Sequence, residues 1–257
     1  MKSEKKSTTK ANVLVGSKKT ELDNRNQLLK LMESSPIPDS EVLMNLGLFL
    51  KRQDLSRILF MNELYQKQVS VHGSIFEFGV RWGQNLALFE TMRGIYEPYN
   101  YNRKIVGFDT FEGFPSVDKK DGSNPIIKKG SYDVVKGYEN YLAQILQCLE
   151  NENPIAHIKT THLIKGDASK SIKTYLKVHP ETIISMAYFD FDIYTPTKEC
   201  LLAIKPHLTK GSVIGFDELN FQAFPGETIA VQEVLGLGSY KIQHSPFGVL
   251  QSYIIFE

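Results

Sequence analysis

From residue 74 onward the chain alternates short apolar runs with segments of helical periodicity, and that alternation constrains the fold before any motif is considered. Apolar runs at residues 74–80, 104–109, 161–167, 187–190 and 213–216 have the length and composition of buried strands. Between them, residues 85–96, 138–150 and 197–208 and the stretch through Ile172 and Leu176 have helical spacing. Strands alternating with helices imply a mostly parallel sheet covered on both faces. Such a sheet binds ligands at the carboxyl ends of its strands. Two further β-like runs, 240–243 and 252–256, lie too close for a long helix between them and predict an antiparallel hairpin at the sheet edge.

The N-terminal part reads differently. Residues 1–20 are rich in Lys, Ser and Thr and are expected to form a mobile tail. Residues 21–72 read as a helical extension, with Leu28, Leu31 and Met32, and later Leu55, Ile58 and Leu59, at helical spacing. Pro36 and Pro38 interrupt it, and Asp39 or Ser40 is placed to cap the next helix. A lid and an oligomer contact are both open roles for this extension. Residues 73–257 form the expected ligand-binding domain.

Bulk properties exclude more than they assign. A formal net charge of +1 gives no general argument for a nucleic-acid partner. No apolar stretch approaches the roughly 20 residues needed to span a bilayer. The basic start of the chain lacks a following apolar segment, so a cytoplasmic location is expected. Cys148 and Cys200 show no metal-type spacing and are expected to be reduced, buried thiols.

Two apolar runs end in paired acids, Asp190 with Asp192 and Asp217 with Glu218. If their strands are neighbours, four carboxylates converge at the ligand-binding edge. Such a cluster repels itself unless a cation, a proton or a positively charged ligand is present. Capping of the following helix is the alternative for Asp217 and Glu218. The first strand runs into Glu77-Phe-Gly79-Val-Arg-Trp-Gly83, which is not the G-x-G-x-x-G dinucleotide fingerprint. Gly79 permits a sharp turn and close approach of a ligand. Asp109 ends the second strand, where it either accepts hydrogen bonds from ribose hydroxyls or caps the following turn. Gly166-Asp167-Ala168 ends the third, with Asp167 either a helix cap or a contact to a base edge. Three consecutive sheet ends with polar groups suit a nucleoside-containing cofactor. Trp82 lines that cleft or belongs to the core, and His244 is a candidate to point into the cleft from the tail. His162 and His207 show no partner in the sequence.

E-x-G-x-x-x-G after the first strand, an acid after the second and Gly-Asp-Ala after the third resemble class I S-adenosylmethionine-dependent methyltransferases. Phe189-Asp190-Phe-Asp192-Ile-Tyr194-Thr-Pro-Thr197 and Asp109-Thr-Phe-Glu-Gly113-Phe-Pro115 narrow the resemblance to the macrocin O-methyltransferase family. The likeness covers about residues 74–220. It implies a Rossmann-like class I methyltransferase fold with a mostly parallel seven-stranded sheet, a C-terminal antiparallel hairpin and an N-terminal helical extension. It implies S-adenosyl-L-methionine bound by Glu77, Gly79, Gly83, Asn85, Asp109, Gly166, Asp167, Ala168 and Asp190. Mg²⁺ would be held by Asp190, Asp217 and Glu218, with Asp192 as general base. Asp190 has an alternative role, meeting the cofactor's ammonium. Oxygen ligands without His or Cys favour Mg²⁺ or Mn²⁺ over Zn²⁺. The expected reaction is methyl transfer to a hydroxyl of a sugar in a natural product, glycolipid or polysaccharide, by a homodimer.

Two departures stand out. The family has Asp-Gly-Asp where this chain has Asp190-Phe191-Asp192, and Asp-Asp where it has Asp217-Glu218. Tyr194 and Thr197 are read as packing and capping residues. Residues 112–136 and 220–228 are expected to cover the acceptor pocket as loops. A metal-independent small-molecule methyltransferase and a non-catalytic nucleoside-binding protein are the alternatives. A nicotinamide dehydrogenase ranks last because the glycine spacing is missing.

Overall fold

The computed structural model describes residues 16–257. Most of the segment expected as a tail therefore lies outside the described residues. The first helix, α1 (Lys19–Glu33), already includes residues 19 and 20. A short helix α2 (Asp39–Val42) and a 3-10 segment (Leu43–Phe49) follow. No residue of these three elements is buried. Leu43, Met44 and Leu48 are among their exposed side chains. Neither Asp39 nor Ser40 caps α2, because Pro38 occupies the cap position and both polar residues fall inside the first turn.

Helix α3 (Arg52–Gln68) behaves otherwise. Phe60, Met61, Leu64 and Tyr65 recur every three to four residues along it and are wholly buried. The chain then alternates β1 (Ser74–Phe78), α4 (Gln84–Tyr96), β2 (Ile105–Asp109), α5 (Tyr138–Asn151), β3 (Thr161–Lys165) and α6 (Ala168–Val178). It continues with β4 (Ile184–Phe189), α7 (Tyr194–Ile204), β5 (Leu208–Phe216), α8 (Pro225–Val234), β6 (Gln243–His244) and β7 (Ser252–Ile255).

The seven strands form one sheet in the order β3-β2-β1-β4-β5-β7-β6. β1 to β5 are parallel and β7 runs antiparallel between β5 and β6. Strand alternation divides the core between the two faces. Ile75, Met186 and Val213 pack with α3, α4 and α5 on one face. Phe76, Ala187 and Ile214 pack with α6, α7 and α8 on the other. The central strands β1, β2 and β4 are buried on both sides, so they read as continuous apolar runs.

Register aligns the functional edge. Phe108, Phe78, Phe189 and Phe216 are paired across four adjoining strands, and their rings stack in a row with centroids 5.2, 4.8 and 5.6 Å apart. Each such aromatic pair adds about 0.5–1.5 kcal/mol beyond its area burial. The residue after each phenylalanine is Asp109, Gly79, Asp190 or Asp217. One buried aromatic stripe thus holds the four strand ends level.

Three expectations need correction. The C-terminal antiparallel pair is present, but of the run 240–243 only Gln243 pairs, in the two-residue β6 at the open edge of the sheet. Residues 225–228 are not loop: Pro225 starts α8, where its missing N–H costs nothing. Cys148 is exposed on α5, whereas Cys200 is buried, and both are free thiols. Among the described residues no helix is long and apolar enough to cross a membrane.

Candidate active site

A cavity of about 360 Å³ opens at the carboxyl ends of β1, β2, β4 and β5 and the start of α6. It lies where strand order reverses, between β1 and β4. Gly79, Gly83 and Asn85 reach it from the β1–α4 turn, Asp109 from β2, and Asp167 and Ala168 from the turn into α6. Asp190, Asp192, Asp217 and Glu218 form its other wall. Glu77 and Gly166 do not line it. Glu77 sits two positions before Gly79 on β1, wholly buried on the α3–α4 face, where its Oε1 accepts from Asn85 Nδ2 at 3.0 Å. Burial, reinforced by the charge of Asp190, pushes the Glu77 carboxyl well up. Gly166 instead ties strand ends together, its N–H donating to the Asp109 carbonyl at 2.8 Å.

Gly79 lines the cavity and makes the sharp turn expected of it, and it also permits a second close approach. Its φ is +93°, and a Cβ there would collide with the Asp190 carbonyl. The approach it permits is between the backbones leaving β1 and β4.

Asp109 serves the local backbone. Its Oδ2 accepts from Arg81 N–H at 2.8 Å and its Oδ1 from Phe111 N–H at 2.5 Å. Arg81 and Phe111 both have positive φ, 47° and 57°, so one carboxylate steadies two strained turns. The Val80 N–H also bonds to it, so of a carboxylate's about four acceptor sites about one remains for a ligand in the cavity. Asp167 caps α6 through Ser169 N–H at 3.1 Å and also borders the cavity. Trp82 is 41% exposed and lines the cavity, so it is not core.

The acidic wall contains a cation that the sequence reading did not include. Arg57 of α3 donates from Nη2 to Asp190 Oδ2 at 2.5 Å and from Nη1 to Asp217 Oδ1 at 3.0 Å. Its Nε donates to Asn85 Oδ1 at 3.1 Å. Asp217 Oδ1 also accepts from Tyr188 at 2.7 Å and from Gln251 Nε2 at 3.1 Å. Arg57 lies one turn before the buried Phe60 and Met61, on the same helix face. A cation on the apolar stripe of a helix was the available signal.

One guanidinium does not neutralise the cluster. Burial, then the charge of Asp217, pushes Asp190 up to about 7. The same causes push Glu218 up to about 8. Burial and the Glu218 charge raise Asp192 well above the usual range. Asp192 is held at φ 62°, a left-handed conformation, and is nearly buried. Behind Glu218, the wholly buried Glu227 accepts its N–H at 3.1 Å. Glu218 Oε2 is buried without a hydrogen-bond partner. Among the described residues no group of three or more His, Cys, Asp or Glu side chains is arranged to hold a metal ion as it stands.

The segment between β2 and α5 borders the cavity through Gly113, Phe114, Pro115 and Tyr132. Its midpoint is fastened by Asp121, wholly buried, which accepts Tyr194 N–H at 2.5 Å and Asp118 N–H at 2.6 Å. Tyr194 packs at the start of α7 and its hydroxyl donates to Glu233 at 2.6 Å. Thr197 donates to the Ile193 carbonyl at 2.7 Å. His244 is exposed on β6 and does not line the cavity. His207 Nδ1 lies 2.9 Å from the Thr182 carbonyl, and burial lowers the His162 pKa.

The sheet order and the cavity at its switch point define a Rossmann-like ligand-binding fold. The calicheamicin methyltransferase CalS11 superposes with a TM-score of 0.92 at 40% identity over 99% of both chains. A second CalS11 structure, described as TDP-rhamnose 3'-O-methyltransferase, gives 0.84 at 39% identity over 95% of this chain and 97% of that one. The O-methyltransferase NovP shares the fold, with a TM-score of 0.60 at 15% identity over 78% and 79% of the chains. No protein-family model and no curated protein matches the chain. The chain belongs to the class I methyltransferases, as an O-methyltransferase related to the macrocin O-methyltransferase family.

Proposed function

We propose that this enzyme transfers the methyl group of S-adenosylmethionine to a hydroxyl of a sugar, with a divalent ion, Mg²⁺, at the acidic wall. The single observation that carries the reading is the meeting of four carboxylates from β4 and β5 with a cavity whose far side ends in Asp109. The 40% identity to CalS11 supports a sugar acceptor, and TDP-rhamnose is the first candidate to try.

The donor chemistry of the acidic wall is of the kind a hard cation takes. Asp190, Asp217 and Glu218 offer only oxygen, as Mg²⁺ prefers. Glu218 Oε2 is buried and unpartnered, an oxygen that lacks the donor it requires. Bound there, a divalent ion supplies Lewis acidity that lowers the pKa of a hydroxyl beside it. The protein's own groups do the remainder. Asp109 keeps about one acceptor site for a ribose hydroxyl, and Gly83, Asn85, Asp167 and Ala168 line the cofactor's side of the cavity. Asp192 faces the same cavity and is the base that takes the acceptor's proton. Holding donor and acceptor in line removes most of the entropic barrier to methyl transfer.

A metal-independent version is favoured by one observation: Arg57 already bonds to Asp190 and Asp217. The deciding experiment incubates EDTA-treated enzyme with S-adenosylmethionine and TDP-rhamnose, with and without added Mg²⁺, and detects methylated product by mass spectrometry. Turnover restored by Mg²⁺, and lost in Asp217→Asn while S-adenosylhomocysteine still binds, is expected. Turnover unaffected by EDTA selects the metal-independent reading. If neither condition gives product, TDP-rhamnose is not the acceptor.

A further inference from the structure

Arg57 holds the same carboxylates that the proposed ion would use. Its two terminal nitrogens lie 2.5 Å from Asp190 Oδ2 and 3.0 Å from Asp217 Oδ1. A divalent ion on these oxygens would meet a fixed positive charge at close range, in a partly desolvated site where charges interact strongly. The guanidinium is confined at Nε as well, by Asn85 Oδ1 at 3.1 Å, and Asn85 is in turn held by Glu77. Helix α3 itself does not offer an easy retreat. Phe60, Met61, Leu64 and Tyr65 lock it into the core one turn after Arg57. The Arg57 side chain, by contrast, is 27% exposed and lines the cavity, so it has free space on one side.

We propose that Arg57 is a built-in counter-cation that exchanges with the divalent ion: its guanidinium and the ion compete for Asp190 and Asp217, and ion binding turns the side chain away while α3 stays in place. This rests on the metal-dependent reading given above. The exchange sets the enzyme's ion affinity below what the acids alone would provide. It also links the two halves of the site, because displacing Arg57 releases Asn85, a residue on the cofactor's side.

The test is a titration of EDTA-stripped, full-length protein with Mn²⁺ alone, following free Mn²⁺ by electron paramagnetic resonance. Wild type, Arg57→Gln and Arg57→Lys are compared. Removing the competing charge is expected to tighten Mn²⁺ binding by about tenfold or more in Arg57→Gln, with Arg57→Lys between the two. Equal or weaker binding in Arg57→Gln, with wild type binding Mn²⁺, overturns the exchange and leaves the proposed function standing. Mn²⁺ bound by neither protein removes the ion from that function and overturns the exchange with it. If Arg57→Gln does not fold, crystals of wild type grown with Mn²⁺ give the answer. A guanidinium withdrawn from both acids is expected there, and one still bridging them beside a bound ion overturns the proposal.

Discussion

Tyr188 donates its phenolic hydrogen to Asp217 Oδ1 across 2.7 Å, from β4 to the end of β5. The contact depends on Gly215, the residue paired with Tyr188 in the sheet. A Cβ at 215 would lie 2.7 Å from the Tyr188 ring, so only glycine lets the ring cross toward the acid. Burial and the negative charge of Asp217 push the phenol well above its usual range, so Tyr188 remains a donor throughout the physiological range.

Tyr188→Phe therefore removes a charge-assisted hydrogen bond and leaves the ring's packing intact. A loss of about 1.5–3 kcal/mol is expected. Urea unfolding should show a lower midpoint with an unchanged slope. A midpoint equal to wild type would mean that Arg57 and Gln251 satisfy Asp217 without the phenol.

Asp109→Ala frees two backbone N–H groups at residues of positive φ and removes the acceptor assigned to the ribose. S-adenosylhomocysteine binding should weaken by about tenfold or more, in line with lost hydrogen bonds to a charged group. Calorimetric titration reads this directly. An unchanged affinity would leave Asp109 as a turn cap alone.

The acidic wall predicts a pH dependence of stability. Asp190 and Glu218 rise from ordinary values of 3.8 and 4.5 to about 7 and about 8 on folding. The folded state then binds more protons than the unfolded chain, so stability falls as pH rises. Their contribution is fully present below the ordinary carboxylate range and is lost as pH climbs to about 8. In EDTA, the thermal midpoint of wild type should drop between these limits, and Glu218→Gln should flatten that drop. Parallel curves for the two proteins would show that Glu218 titrates normally.

The sheet was legible because its central strands are buried on both faces and punctuated by helices of ordinary length. Its pair of acidic strand ends was legible for the same reason: β4 and β5 are neighbours, so acids at their ends must meet. A finer regularity is present in the sequence. Phe-Gly or Phe-Asp closes β1, β2, β4 and β5, and those phenylalanines are the aromatic row under the cavity. The partners of Arg57 were not legible, since they lie 133 and 160 residues away. Glu77 and Gly166 fall outside the cavity lining, because a motif does not say which face of a strand or turn a side chain takes. The start of α8 was missed because Phe224-Pro225-Gly226 resembles a loop by composition, whereas Pro at the first helical position is an initiator.

Helix α3 belongs to two systems at once, since its apolar face completes the core and Arg57 enters the acidic wall. Trimming the protein back to its alternating β/α portion would therefore not yield a minimal catalyst. It would expose a hydrophobic floor and strip the carboxylates of their only bonded guanidinium among the described residues in the same cut. Any shortened form therefore has to keep α3 together with the β/α portion.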